Sequence, residues 1–118
     1  HNHNMPVRVI VTSGTEKHFF YQEKNGTLTQ TKEQDFHVGD IVKGKTTAIH
    51  SVVNPTATPA AALHLYFGDL IHQERLIWHP ESLEAVPYSD DIYFAYAQPL
   101  DSSKSFTLPT TCDAHATA

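Results

Sequence analysis

The fold is decided by the stretch Asp35-Phe36-His37-Val38-Gly39-Asp40-Ile41-Val42-Lys43-Gly44, where an aromatic residue precedes a Gly-Asp pair and an apolar strand start. Gly39 tolerates the positive φ of a tight turn, and the Asp40 side chain can hydrogen-bond the neighbouring backbone. The side chains expected to point inward are Phe36, Val38 and Ile41. The stretch therefore predicts the corner where one strand enters a small antiparallel β-barrel or a strongly curved sheet.

Length and charge narrow the classes of protein to consider. The chain has 118 residues, which suits one domain with a single core. Eight Lys and Arg residues stand against thirteen Asp and Glu residues, giving a formal net charge of -5, which argues against general nucleic-acid binding. No long apolar run or signal peptide follows Met5, and the one cysteine, Cys112, allows no internal disulfide. A cytoplasmic protein without a membrane partner is expected.

Composition divides the chain into three segments. The alternating His and Asn of residues 1–4 resemble a purification-tag remnant, and we leave them out of fold and metal reasoning. Residues 5–100 are expected to form a single β-rich domain. Residues 101–118 are rich in Ser, Thr, Ala and Asp, and such a composition buries too little apolar surface to offset the ordering entropy. They are predicted to be a polar, flexible tail.

Alternation of side chains with a period of two predicts the first strands. Val7, Val9 and Val11 alternate with other residues over positions 6–12, which is typical of a strand. Residues 18–23 and 27–31 flank Asn25-Gly26, a pair that tolerates the positive φ values of a type I′ turn, so a hairpin is predicted. Residues 41–53 continue in β character beyond the Gly39 corner.

The second half of the chain is less regular. Pro55 and Pro59 lie in a run of small residues that predicts an extended loop, followed by a strand over 63–67. The alternative is a helix beginning at Thr58-Pro59. Gly68-Asp69 predicts a second tight hairpin. A short helical turn is expected near residues 80–84, and the alternation over 92–97 predicts a last strand.

Three short segments carry a resemblance to a known superfold. They are Phe36-His37-Val38-Gly39-Asp40-Ile41-Val42, Leu65-Tyr66-Phe67-Gly68-Asp69 and Ile77-Trp78-His79-Pro80-Glu81-Ser82-Leu83-Glu84-Ala85-Val86. Over roughly residues 35–86 the chain resembles an SH3-like small β-barrel, a superfold that includes the Tudor-like modules. The resemblance implies a barrel entered by an F-x-x-G-D-x-V strand. Because such folds host peptide, methylated-lysine, nucleic-acid and structural roles, it leaves the function open.

Candidate catalytic and metal-ligating residues are few. His64 and His72 could face each other across the second hairpin with His79 nearby, but no tight ligand spacing supports a zinc site, and no metal or cofactor is expected. Cys112 lies in the predicted tail, where nothing would lower its pKa. The five glycines are isolated, so no phosphate-binding loop is present. We therefore expect no enzymatic activity.

Amphipathic aromatic residues carry the functional signal, because such side chains suit contact surfaces. The residues predicted to bind a partner are Tyr66, Trp78, Tyr88, Tyr93, Tyr96, Pro55 and Pro59. Glu81, Glu84, Asp90 and Asp91 nearby favour a basic or proline-rich partner. The sequence thus predicts a non-catalytic protein-interaction module. The alternatives are a small acidic inhibitor or immunity-type protein that blocks an enzyme with the 54–62 loop, and an accessory structural subunit; a histidine-lined enzyme ranks last.

Overall fold

The computed structural model describes residues 1–97, which contain eight strands and one helix. In chain order these are β1 (Val7–Ser13), β2 (Thr15–Lys24), β3 (Thr27–His37), β4 (Ile41–Gly44), β5 (Ile49–Val53), β6 (Ala61–Tyr66), β7 (Leu76–Trp78), β8 (Ala85–Pro87) and α1 (Asp90–Tyr96). The mostly-β class predicted from the sequence is confirmed. The predicted tail, with Cys112, lies outside the described residues.

The strands form three small antiparallel sheets. Their orders are β4-β1-β6, β3-β2-β5 and β7-β8. Strands β4 and β5 follow each other closely in the chain but belong to different sheets, so residues 41–53 are not one continuous strand. No helix among residues 1–97 is long and apolar enough to cross a membrane.

Alternation along β1 builds the core. Val7, Val9 and Val11 are buried and pack with Phe36 and Val42, whereas the residues between them face outward. This is the period-two pattern expected from the pleat of a strand. The strand predicted over residues 6–12 is confirmed.

The β2–β3 hairpin is also confirmed. Asn25 and Gly26 have φ values of 52° and 76°, the left-handed conformations that a type I′ turn requires. Ten residues of β2 pair with β3, and β5 pairs with the other side of β2. Strand β2 is therefore the central strand of its sheet, and its inward side chains lie between those of β3 and β5.

At the Gly39 corner the turn prediction is confirmed and part of the core prediction is wrong. Gly39 has φ 90°, and Asp40 Oδ2 accepts a hydrogen bond of 2.8 Å from the His37 N–H. Phe36 is buried, but Val38 is 64% exposed and Ile41 is 50% exposed. Ile41 pairs with Ile10 on the outer face of β1, so its side chain points outward. The next residue of β4, Val42, enters the core instead.

The strand predicted over residues 92–97 is wrong, since this segment belongs to helix α1. Ser89 caps the helix by accepting a hydrogen bond of 3.2 Å from the Ile92 N–H. Asp90 and Asp91 occupy the first turn, where negative charge interacts favourably with the helix dipole. These start signals outweigh the strand-like alternation of the aromatic residues that follow.

The hairpin predicted at Gly68-Asp69 is also wrong. Strand β6 pairs with β1, and β7 pairs with β8, so the segment joining β6 to β7 crosses between sheets. Strand β6 itself agrees with the loop-and-strand interpretation and rules out a helix over 61–66. Near residues 80–84 the chain makes one turn closed by the Leu83 N–H and the His79 carbonyl at 2.9 Å, without a helix.

Candidate metal centre

The first residues of the chain form a short extended segment between β5 and β7. Asn2 makes an antiparallel bridge with Ile49, and His1 and His50 exchange two main-chain hydrogen bonds of 3.0 Å. On the other side, the Leu76 N–H donates to Asn2 Oδ1 at 2.9 Å. Asn2 and His3 are buried. Residues 1–3 are therefore part of the packing in this structure, and the resemblance of residues 1–4 to a tag remnant stays a prediction.

This segment brings three imidazole rings together. His1 and His3 are two residues apart in extended chain, so their side chains project to the same side, where His50 lies. Ring centroids are 4.9 Å apart for His1 and His3, 4.8 Å for His1 and His50, and 5.2 Å for His3 and His50. One nitrogen from each ring lies within 4.8 Å of the others. Around a tetrahedral metal with bonds near 2.0–2.1 Å, ligand nitrogens are about 3.4 Å apart, so the rings would have to approach one another by up to about 1.4 Å to share one ion.

Behind His50, a chain of hydrogen bonds leads to a buried carboxylate. His50 Nδ1 lies 3.2 Å from His18 Nδ1, and His18 Nε2 lies 2.9 Å from Glu16 Oε2. The side chains of Glu16, His18 and Phe20 lie on the inward face of β2. Phe20 pairs with His50 of β5. The three polar side chains are almost fully buried, Glu16 to 1% exposure and His50 to 4%.

The second ring nitrogen of His50 is the atom of interest. Among residues 1–97, His50 Nε2 is buried and has no hydrogen-bond partner. Two proton arrangements satisfy the other bonds. If His18 is neutral, it donates from Nε2 to Glu16 and accepts from His50 Nδ1–H, which leaves a lone pair on His50 Nε2. If His18 is an imidazolium, His50 Nε2 carries the proton instead, so coordination of a metal selects the first arrangement.

Burial and neighbouring charges keep the imidazole rings of His3 and His50 neutral. Burial, assisted by the Arg75 guanidinium, the amino group of His1 and His64, lowers the pKa of His3 to about 4. Burial first, and then the neighbouring histidines and the His1 amino group, lower the pKa of His50 well below its ordinary value. Both rings are therefore unprotonated at neutral pH. Metal ligation requires this form of histidine.

One side of the centre opens into a cleft. The cleft has a volume of about 440 Å³, and His1, His3, Tyr66, Arg75, Tyr88 and Asp90 are among its lining residues. Arg75 lies 3.8 Å above the centre of the Tyr88 ring. Imidazole ligands suit zinc, copper, nickel and iron, and three protein ligands beside an open position are typical of reactive rather than purely structural zinc sites.

The structure places three of the seven predicted partner-binding residues around this centre. Tyr66 lies 5.4 Å from the His3 ring, and Tyr88 and Tyr93 lie 6.3 and 5.7 Å from the His1 ring. Burial raises the pKa of Tyr88 to about 12. These tyrosines form walls of the histidine site and are only partly exposed.

The other four predicted residues are scattered. Trp78 is buried in β7, and Tyr96 packs edge-on against His79 at 5.0 Å. Pro55 and Pro59 are exposed in the loop between β5 and β6. The structure thus divides the predicted set between the site, the core and a separate loop.

The predicted encounter of His64, His72 and His79 does not occur, because the hairpin that would create it is absent. His72 is exposed and pairs with Asp69 at 2.7 Å. His79 Nδ1 accepts from two turn N–H groups, those of Glu81 and Ser82. His64 lies beside Tyr66, with its Nδ1 3.4 Å from the hydroxyl oxygen. None of the three contributes to the cluster of metal-ligating nitrogens within residues 1–97.

Sequence reasoning missed His1, His3, His18 and His50. The available signal was the spacing of two in His1-Asn2-His3 and in Glu16-Lys17-His18, since this spacing puts both side chains on one face of a strand. Alternation alone could not show that β2, β5 and the first residues of the chain are neighbours.

Comparison with known proteins gives no match to a family model, to a curated protein or to a solved structure.

Proposed function

We propose that this protein binds one transition-metal ion of the zinc or copper class through the rings of His1, His3 and His50. The observation that carries the proposal is His50, whose Nε2 is buried without a hydrogen-bond partner among residues 1–97 and whose ring lies beside two further imidazoles. A buried polar group left unpaired costs roughly 1–3 kcal/mol, and a metal ion at this point would remove that cost.

The buried network behind the site supports the same function. Metal-bound histidines commonly donate their other ring N–H to an acceptor that sets the tautomer and the ring orientation. His18 is placed to be that acceptor for His50, and Glu16 is placed to orient His18. The centre thus has both a set of ligands and a buried support for one of them.

The test is metal content after purification without an affinity tag and dialysis against zinc. We expect one zinc per chain, and an increase in melting temperature that disappears with a chelator. A ligand present at 100 times its Kd stabilises the folded state by about 2.7 kcal/mol. His3→Ala should abolish the bound zinc, whereas His72→Ala, which changes an exposed histidine outside the site, should retain it. Zinc that stays bound to a folded His3→Ala protein would contradict the proposal.

A second candidate function, protein interaction, is favoured by the outer face of the β4-β1-β6 sheet. Four large apolar side chains are exposed there or at its end, and these are Ile41, Leu63, Leu65 and Phe67. Arg8 and Lys43 are cross-strand partners on the same face, and Arg8 lies 5.7 Å from the Phe67 ring centre. We propose that this face binds an apolar peptide segment that carries carboxylates, because large exposed apolar patches mark interaction sites and the local charge is positive.

Peptides that alternate Leu and Glu test this second function. Fluorescence anisotropy should show binding to the protein, loss of binding with Leu65→Ser, and weaker binding of peptides in which Lys replaces Glu. Thr29→Ser on the exposed β3 strand is the matched control. Equal binding of the two peptide types would contradict the proposed chemistry of the partner.

Other expectations from the sequence stay predictions. They include closure of the sheets into an SH3-like barrel, a cytoplasmic location, the absence of catalysis, and a basic or proline-rich partner near the acidic residues 81–91. Inhibition of an enzyme by the 54–62 loop and a role as a structural subunit also stay untested.

A further inference from the structure

The cleft in front of the histidine centre contains a cation without an ionic partner. Among residues 1–97, no carboxylate lies within ion-pair distance of the Arg75 side chain. Its guanidinium stacks on Tyr88, and the Tyr88 N–H donates to the Arg75 carbonyl at 2.9 Å, which holds the start of β7 beside the segment before α1. A guanidinium stacked through its face keeps N–H groups at its edge available for an anion.

The cleft is lined by both polar and apolar side chains. His1, His3 and Arg75 are among the polar ones, and Leu70 and Ile71 are the aliphatic ones. Ile71 is 88% exposed and offers apolar surface at the edge of the cleft. A ligand that satisfied both kinds of lining would combine an anionic group with a short apolar body.

The negative charge of Asp90 disfavours a ligand that carries two negative charges. This residue is exposed at the rim, and no Lys or Arg side chain lies within ion-pair distance of it in the described part of the chain. Its carboxylate repels a second negative charge on the ligand. The cleft therefore favours a monocarboxylate over a phosphate dianion.

We propose that the cleft binds a small aliphatic monocarboxylate, one oxygen of which occupies the open metal position while the other accepts hydrogen bonds from Arg75. The apolar body of the ligand lies against Leu70 and Ile71. This inference rests on the proposed metal function, because the metal supplies one of the two contacts to the carboxylate. The ligand class follows from the strength of a charge-assisted hydrogen bond between a guanidinium and a carboxylate oxygen, and from the apolar residues in the same lining.

Isothermal titration of the zinc-loaded protein with butanoate tests the inference. We expect saturable binding of butanoate, at least about tenfold weaker binding of butanamide, and no comparable binding of inorganic phosphate. Arg75→Gln should weaken butanoate binding about tenfold, whereas Arg75→Lys should retain part of it. Lys45→Gln, an exposed cation outside the cleft lining, is the control and should leave the Kd unchanged.

Zinc content, measured on every sample, separates the two proposals. Zinc-loaded protein that binds butanoate and butanamide equally, or neither, would overturn the carboxylate inference and leave the metal function intact. Stronger binding of phosphate than of butanoate would overturn the choice of ligand class. Protein that takes up no zinc would overturn both proposals. Arg75→Gln protein must keep its zinc for the loss of butanoate binding to support the contact.

Discussion

At the scale of single residues, the two ring nitrogens of His50 lie in different environments. Its Nδ1 faces the His18 ring inside the sheet, and its Nε2 has no partner among the described residues. A buried imidazole in this position is costly for a domain whose total stability is about 5–15 kcal/mol. Coordination of the proposed metal ion by His50 Nε2 would offset this cost.

Glu16 is a positioning residue, and its replacement should weaken metal binding without removing a ligand. In Glu16→Gln the acceptor for His18 loses its charge, and we expect metal affinity to fall about 10–100-fold, as is usual when the partner of a metal-bound histidine is lost. The Kd from competition with a chelating dye is the measurement. Glu33→Gln, an exposed residue of β3, is the matched control.

A purely structural role for Glu16 would give a different result. It would lower the melting temperature of the metal-free protein while leaving the zinc Kd unchanged. An unchanged zinc Kd in Glu16→Gln would contradict the positioning role.

At the scale of elements, helix α1 supplies one of the aromatic side chains that surround the proposed metal centre. Tyr93 of the helix contacts the His1 ring edge-on, and the helix begins at the Ser89 cap. Replacement of an N-cap serine by alanine costs about 1 kcal/mol. We expect Ser89→Ala to lower the free energy of unfolding by about that amount, as measured by urea denaturation.

Ser13→Ala is the control for the cap, since Ser13 is exposed at the end of β1. Ser89→Asp, which preserves an acceptor at the cap and adds negative charge at the helix N-terminus, should retain most of the stability. Equal losses in Ser89→Ala and Ser13→Ala would show that the cap contributes nothing measurable.

The elements also show how far sequence reasoning reaches. Strand β1, the Asn25-Gly26 hairpin and β6 could be predicted because their signals are local: alternation, turn chemistry and β-branched residues. Helix α1 could not, because a seven-residue segment with large apolar or aromatic side chains at positions 92, 94 and 96 satisfies a strand pattern as well as a helix pattern. The metal centre could not either, since His1 and His50 are 49 positions apart and meet only through the pairing of β5 with the first residues of the chain.

At the scale of the whole molecule, the buried histidines make stability depend on pH. The pKa of His3 is lowered from 6.5 to about 4, so between these values the unfolded chain binds a proton that the folded protein does not. The free energy of unfolding is therefore highest above pH 6.5. It decreases as the pH falls toward 4, by roughly 3 kcal/mol for His3 alone. His50 acts in the same direction.

Urea denaturation of metal-free protein, with a chelator present, measures this dependence. The free energy of unfolding should fall steeply from pH 6.5 to 4, and His3→Gln should flatten the slope because glutamine does not titrate. His37→Gln is the control, since His37 is exposed at the end of β3. A slope unaffected by His3→Gln would show that His3 is protonated in the folded protein.

The placement of the first residues between β5 and β7 has a consequence for the order of folding. Each side of this segment pairs with a strand that is distant in sequence, so its docking closes long loops and is favourable only after those strands are in place. We therefore expect the three proposed ligands to assemble last, and uptake of the proposed metal to mark the completion of folding. A bound ion would hold the first and middle parts of the chain together during the initial step of unfolding.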